Sequence, residues 1–123
     1  MKHKKLICLL LSLIFCFAMV PMTAMAAEAP EGVWTDYAAD SFESGTGTQT
    51  DPYVIATAEQ LAKLAVDVNS GVDSVSHTGE YFVLSDNIDL SAHRWRPIGD
   101  GAADRSFHAF QGHFDGQNHT ITG

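Results

Sequence analysis

The stretch F-Q-G-H-F-D-G-Q-N-H-T-I-T, residues 110–122, decides how the rest of the chain is read. Phe110, Gly112 and Phe114 alternate with Gln111 and His113, which is the two-residue period of a half-buried strand. Asp115-Gly116 is a turn dipeptide, and Gln117-Asn118 extends it. His119 to Thr122 then resumes a strand. Short strands divided by tight turns suit a solenoid that coils one rung at a time. In that reading Phe110, Phe114 and Ile121 are core residues.

Upstream lies a segment with the opposite period. Tyr53-Val54-Ile55 is a short β-rich run, and Thr57 follows it. Thr57 and Gln60 fit a capping box, in which the N-cap side chain and the third helical residue satisfy each other's backbone amides. Leu61, Leu64, Ala65 and Val68 fall at i, i+3, i+4 and i+7, one apolar face of a helix over 58–70. Leu61, Leu64 and Val68 are therefore expected in the core. Lys63 and Asp67 fall on the wet side at i, i+4. Asn69-Ser70-Gly71 is a stop signal, with Gly71 suited to the left-handed position after the helix. A helix of this length is marginal alone in water and must dock. Residues 72–79 read as a loop. Glu80–Leu84 and Ile88–Leu90 read as strands either side of the turn Ser85-Asp86-Asn87. Residues 91–106 are irregular, with Trp95, Pro97 and Ile98 expected to pack inward.

The beginning of the chain carries a different signal. Lys2, Lys4 and Lys5 precede an uncharged apolar run from Leu6 to Val20, Pro21 breaks it, and Ala24-Met25-Ala26 is a small-x-small cleavage pattern before Ala27. Charged, apolar and cleavage regions in that order predict a secretory signal peptide over 1–26, with Ala24, Ala26 and Ala27 at the peptidase site. The apolar run is short of the roughly 20 residues that span a hydrocarbon core. A lipid anchor on Cys16 is disfavoured by Ile14 and Phe15 before it. The remainder is expected outside the cytoplasm, secreted or wall-associated, with no stable membrane anchor. Residues 27–52 are expected as a flexible leader, because Ser44–Thr50 offers little apolar surface to bury. Trp34, Tyr37 and Phe42 within it are expected to fold back, with an aromatic ligand platform as the alternative. Residues 53–123 form the remaining expected unit.

Removing the signal peptide also removes Cys8 and Cys16, so the rest has no thiol for a disulfide. Loss of the three lysines takes the net charge from −8 to about −11. That balance argues against nucleic acid and anionic lipid, since phosphate binding needs basic residues. Metal chemistry has weak support. His77, His93, His108, His113 and His119 contain no H-E-x-x-H, and a pair at His113 and His119 lacks a third ligand. No cofactor is implied. Calcium is the one candidate ion, through Asp86, Asn87, Asp89, Asp100, Asp104 and Asp115, but the order of an EF-hand is missing and turn roles suit these residues better. No G-x-S-x-G is present. Arg94-Trp95-Arg96 offers either a sugar-stacking platform or a core tryptophan flanked by surface arginines, the second being favoured.

The series G-T-G-T-Q-T-D-P-Y-V-I (45–55), T-A-E-Q-L-A-K-L-A (57–65), D-N-I-D-L (86–90), W-R-P-I-G (95–99) and F-Q-G-H-F-D-G-Q-N-H-T-I (110–121) resembles the N-terminal part of bacterial cell-surface right-handed β-helix proteins of the GLUG-repeat type. The resemblance implies a mainly β fold, the start of a right-handed parallel β-helix with one N-terminal capping α-helix. It also implies a structural or adhesive role towards a host or cell-surface glycan or protein. Some related regions accompany immunoglobulin-cleaving metallopeptidases, so the alternative is the N-terminal part of a carbohydrate-active enzyme or the accessory region of a surface protease. No catalytic motif carries over. Because one repeat cannot bury its apolar face alone, the chain is expected to be a fragment of a longer protein or the truncated product of a damaged gene.

Overall fold

The computed structural model describes residues 30–100 and 108–123. The expected signal peptide, with Ala24, Ala26 and Ala27, lies outside the described residues, as does Asp104.

Among the described residues, five short strands and one α-helix make up the regular structure. They are β1 (Tyr53–Ile55), α1 (Ala58–Asn69), β2 (Tyr81–Leu84), β3 (Ile88–Asp89), β4 (His113–Asp115) and β5 (Ile121–Thr122). Two 3-10 turns, Trp34–Tyr37 and Asp73–Val75, complete them. All strand pairs are parallel. One sheet has the order β1-β2-β4, with Phe82 opposite both Tyr53 and Phe114. The second pairs β3 with β5, Ile88 opposite Ile121.

Helix α1 forms where the apolar period places it. The Thr57 hydroxyl accepts from the Gln60 amide at 3.3 Å, and Gln60 Oε1 accepts in return from the Thr57 amide at 3.3 Å. The same Oε1 also accepts from the Ala56 amide at 2.8 Å. Gly71 follows the helix at φ 65°, a left-handed conformation that lets the chain turn away.

The expectation of a right-handed β-helix is corrected. The described residues form one helix with small parallel sheets of three and two strands, and no solenoid is found among them. The reason lies in what fills the core. Ala58, Gln60, Leu61, Ala62, Leu64, Ala65 and Val68 of α1 are all buried, so the helix is the centre of the packing and not a lid over stacked strands. Strand residues add Ile55, Phe82, Leu84 and Ile88, with Leu90 and Trp34 beside them.

Residues 30–52 are not set apart at residue 53. Val33 bridges Arg94, Ser44 bridges Val54, and the Trp34 indole donates to the Leu90 carbonyl at 2.8 Å. Phe42 packs on Tyr53 and Phe82, with ring centroids 4.8 and 5.4 Å away. Low average apolarity in this stretch hides a few large side chains that are sufficient to anchor it. Tyr37 remains half exposed and stacks on His93 at 4.0 Å.

Candidate functional site

Leu61, Leu64 and Val68 lie in the core, the last two with no exposed surface. Phe110, Phe114 and Ile121 do not join them fully. Phe110 is half-buried, while Phe114 and Ile121 are 39% and 44% exposed. The cause is topological. β4 and β5 are the outer strands of their sheets, each with a strand on one side only among the described residues. Alternation along residues 110–122 sets which way a side chain points, but not whether anything packs beyond it.

These three residues instead line an open cleft of about 370 Å³. Leu61 and Leu64 form its floor from α1, and Leu90, Trp95, Pro97 and Ile98 complete its wall. Every lining side chain is apolar, so the cleft has dispersion contacts and hydrophobic area to offer and almost no side-chain hydrogen bonding. Trp95, Pro97 and Ile98, expected to pack inward, reach this rim without full burial.

A second, polar cluster joins α1, the loop after it and the residue before β2. His77 Nδ1 lies 2.5 Å from Glu80 Oε2, and its Nε2 lies 2.9 Å from Asp67 Oδ2. Lys63 Nζ donates to the same Asp67 oxygen at 2.9 Å and stands 5.3 Å from the centre of the Phe42 ring. Ionised carboxylates only accept, so with Asp67 and Glu80 ionised both imidazole nitrogens donate and His77 is an imidazolium. Burial pushes the His77 pKa down, but the hydrogen bonds to Asp67 and Glu80 outweigh it, and the net shift is upward. Burial likewise pushes the Asp67 carboxyl up, yet His77 and Lys63 outweigh it and hold the pKa below the ordinary aspartate value. The rings of Phe42, Tyr53 and Phe82 surround the imidazole edge-on at 5.6, 5.9 and 5.2 Å. His77 also holds φ at 57°, an uncommon conformation for a residue with a Cβ. With both nitrogens engaged, the imidazole has no lone pair to serve as a general base. The arrangement is a clamp that ties the loop after α1 to the helix and to the start of β2.

Sequence reasoning missed this cluster. Its one legible part was the Lys63–Asp67 spacing, and that pair is 22% and 14% exposed, not on a fully wet face.

The remaining candidates have local duties. Asn87 Oδ1 accepts from the Thr120 amide, Asp89 from the Ser91 amide and Asp115 from the Gln117 amide, each at 2.9 Å. The bonds from Ser91 hold the exposed Asp89 carboxyl below its ordinary pKa. Asp86 accepts from the Ser85 hydroxyl, and Asp100 faces His108 Nδ1 at 2.8 Å. His113 stacks on Tyr81 at 4.2 Å, and His93 contacts the Glu31 carbonyl at 2.7 Å. Among the described residues no three His, Cys, Asp or Glu side chains converge as a metal ion requires. No helix among them is long and apolar enough to cross a membrane.

No protein-family model matches the chain, and no solved structure matches it. Over 88 residues the chain is 37% identical to a protein of Evansella cellulosilytica named "Putative Gly-rich membrane protein". The alignment covers 67% of this chain and 9% of that protein, so the chain spans less than a tenth of the length of the relative it matches.

Proposed function

We propose that this chain is an exported, non-catalytic surface module that holds a partner polypeptide in its apolar cleft. The observation that carries the reading is the cleft itself, with exposed Phe114 and Ile121 on β4 and β5, whose outer edges pair with no strand among the described residues. An open strand edge presents backbone donors and acceptors, and an extended peptide can add to it while its alternate side chains enter apolar pockets. A sugar would find few partners among side chains that are all apolar. The net charge, −8 for the whole chain and about −11 once Lys2, Lys4 and Lys5 are removed, favours an occupant with basic flanks. The occupant is therefore an extended segment, apolar at alternate positions and flanked by lysine or arginine.

Export is supported by the three-part pattern of residues 1–26 and by the acidic balance after it. The resemblance of residues 45–121 to bacterial cell-surface proteins supports the same location and a structural or adhesive role. The doubly engaged His77 supports a binding role over an enzymatic one.

Selection of a random peptide display library on the purified chain tests the cleft. Enriched peptides should alternate apolar and polar residues and should lose binding to Phe114→Asp. Enrichment of peptides that bind Phe114→Asp equally well would overturn the reading. Export is tested separately, by mass spectrometry of cell-free and envelope fractions for an N-terminus at Ala27. Finding only an intact Met1 N-terminus in the cytoplasm would refute it.

A further inference from the structure

A groove of about 380 Å³ runs between Val33–Asp36 and Arg94–Pro97 and adjoins the apolar cleft through Trp95 and Pro97. Its chemistry is unusual for this chain. Lysine and arginine number 7 against 15 aspartates and glutamates. Among the described residues the basic side chains are Lys63, Arg94 and Arg96, and Lys63 is committed to Asp67. Arg94 and Arg96 form no ion pair there, and both are exposed.

Arg94 stands on a fixed frame. The Arg94 amide donates to the Gly32 carbonyl at 3.2 Å, and the Trp34 amide donates to the Arg94 carbonyl at 3.0 Å. Arg94 Nε also donates to the Gly32 carbonyl at 3.3 Å, which orients the guanidinium, and its terminal nitrogens make no hydrogen bond among the described residues. Trp95 sits between the arginines, half-buried, and borders both this groove and the apolar cleft. Across the groove stand the Thr35 hydroxyl and the exposed Asp36 carboxylate.

We propose that this groove is a binding site for an anionic sugar, a hexuronic acid unit of a glycan. Two guanidinium forks suit a carboxylate in paired hydrogen bonds. Asp36 repels a bare anion but accepts hydrogen bonds from sugar hydroxyls, and Thr35 can both donate and accept. An apolar sugar face finds the Trp95 ring between the arginines. One ligand satisfies all three demands only if it carries both a negative charge and hydroxyl donors. The site does not depend on the polypeptide reading of the apolar cleft, and a failure of either leaves the other standing.

Isothermal titration of the full chain with trigalacturonate tests it, beside the methyl-esterified trisaccharide and a tri-aspartate peptide. The proposal predicts saturable binding of trigalacturonate that weakens with added salt and about tenfold or more in Arg94→Ala and in Arg96→Ala. Neither the ester nor the peptide should match it. The Arg96 side chain makes no hydrogen bond among the described residues, so Arg96→Ala should keep the parent's melting curve. Absent saturation, equal binding of the ester or the peptide, or unchanged affinity in both variants would overturn the proposal.

Discussion

Replacing His77 with glutamine should make the chain less stable at mildly acidic pH and flatten its pH dependence. The imidazolium makes one hydrogen bond to Asp67, whose side chain is 14% exposed, and one to Glu80, which is 37% exposed. A hydrogen bond to a charged group contributes about 1.5–3 kcal/mol when well covered. The more exposed Glu80 contact is screened and contributes about 1 kcal/mol or less. Glutamine can keep one of the two contacts but not the charge, so the expected loss is about 2 kcal/mol. For a domain of this size that lowers Tm by roughly 8–16 °C. The sign of the pH effect follows from the raised pKa. His77 stabilises the fold fully below its unfolded value of about 6.5, and that contribution disappears as pH rises through the higher folded value. Asp67 has the opposite sense, since its contribution is present above about 3.8 and is lost as pH falls through its lowered folded value. The parent and His77→Gln should therefore differ most between about pH 4 and 6.5 and converge in alkali. Urea titrations across pH 4–10 measure this. Equal stability at pH 5.5, or a gap that widens above pH 9, would refute the clamp.

Three further outcomes follow from the packing. Leu64→Ala removes a side chain with no exposed surface and should cost about 2–5 kcal/mol in urea unfolding, and Leu64→Asp should undock the helix altogether. Gly45→Ala should destabilise the fold, because at φ 93° a Cβ would stand 1.9 Å from the Pro52 carbonyl oxygen, and a lowered Tm is the readout. Phe114→Ser should leave Tm within a few degrees, since the ring is 39% exposed, but should reduce the fluorescence of a bound naphthalene-sulfonate dye.

The helix was legible because its cues are local. Thr57, Gln60 and the spacing of Leu61, Leu64 and Val68 specify start, face and docking without reference to the rest of the chain. The expected span 58–70 differs from the observed end at Asn69 by one residue. The strand segments were also legible, though Phe110–Phe114 proved to be a strand only from His113. What the strands build was not legible. Parallel pairing of β2 with β4 joins residues about thirty apart, and short-range periodicity does not record how many layers stack or where a helix inserts. Hence a solenoid was expected where a helix-centred core is found, and Phe114 and Ile121 were expected inside. The His77 clamp was hidden for a related reason. Asp67, His77 and Glu80 lie on a helix, a loop and the entry to a strand, and only the left-handed backbone at His77 turns its ring between the two carboxylates.

The apolar cleft is tested most directly by amide nuclear magnetic resonance of the full chain, titrated with a peptide of alternating leucine and threonine flanked by lysines. Phe114 and Ile121 amides should shift most and gain protection from hydrogen exchange, while Asp36 and Arg94 amides stay in place. Shifts confined to other surfaces, or none at millimolar peptide, would contradict the account.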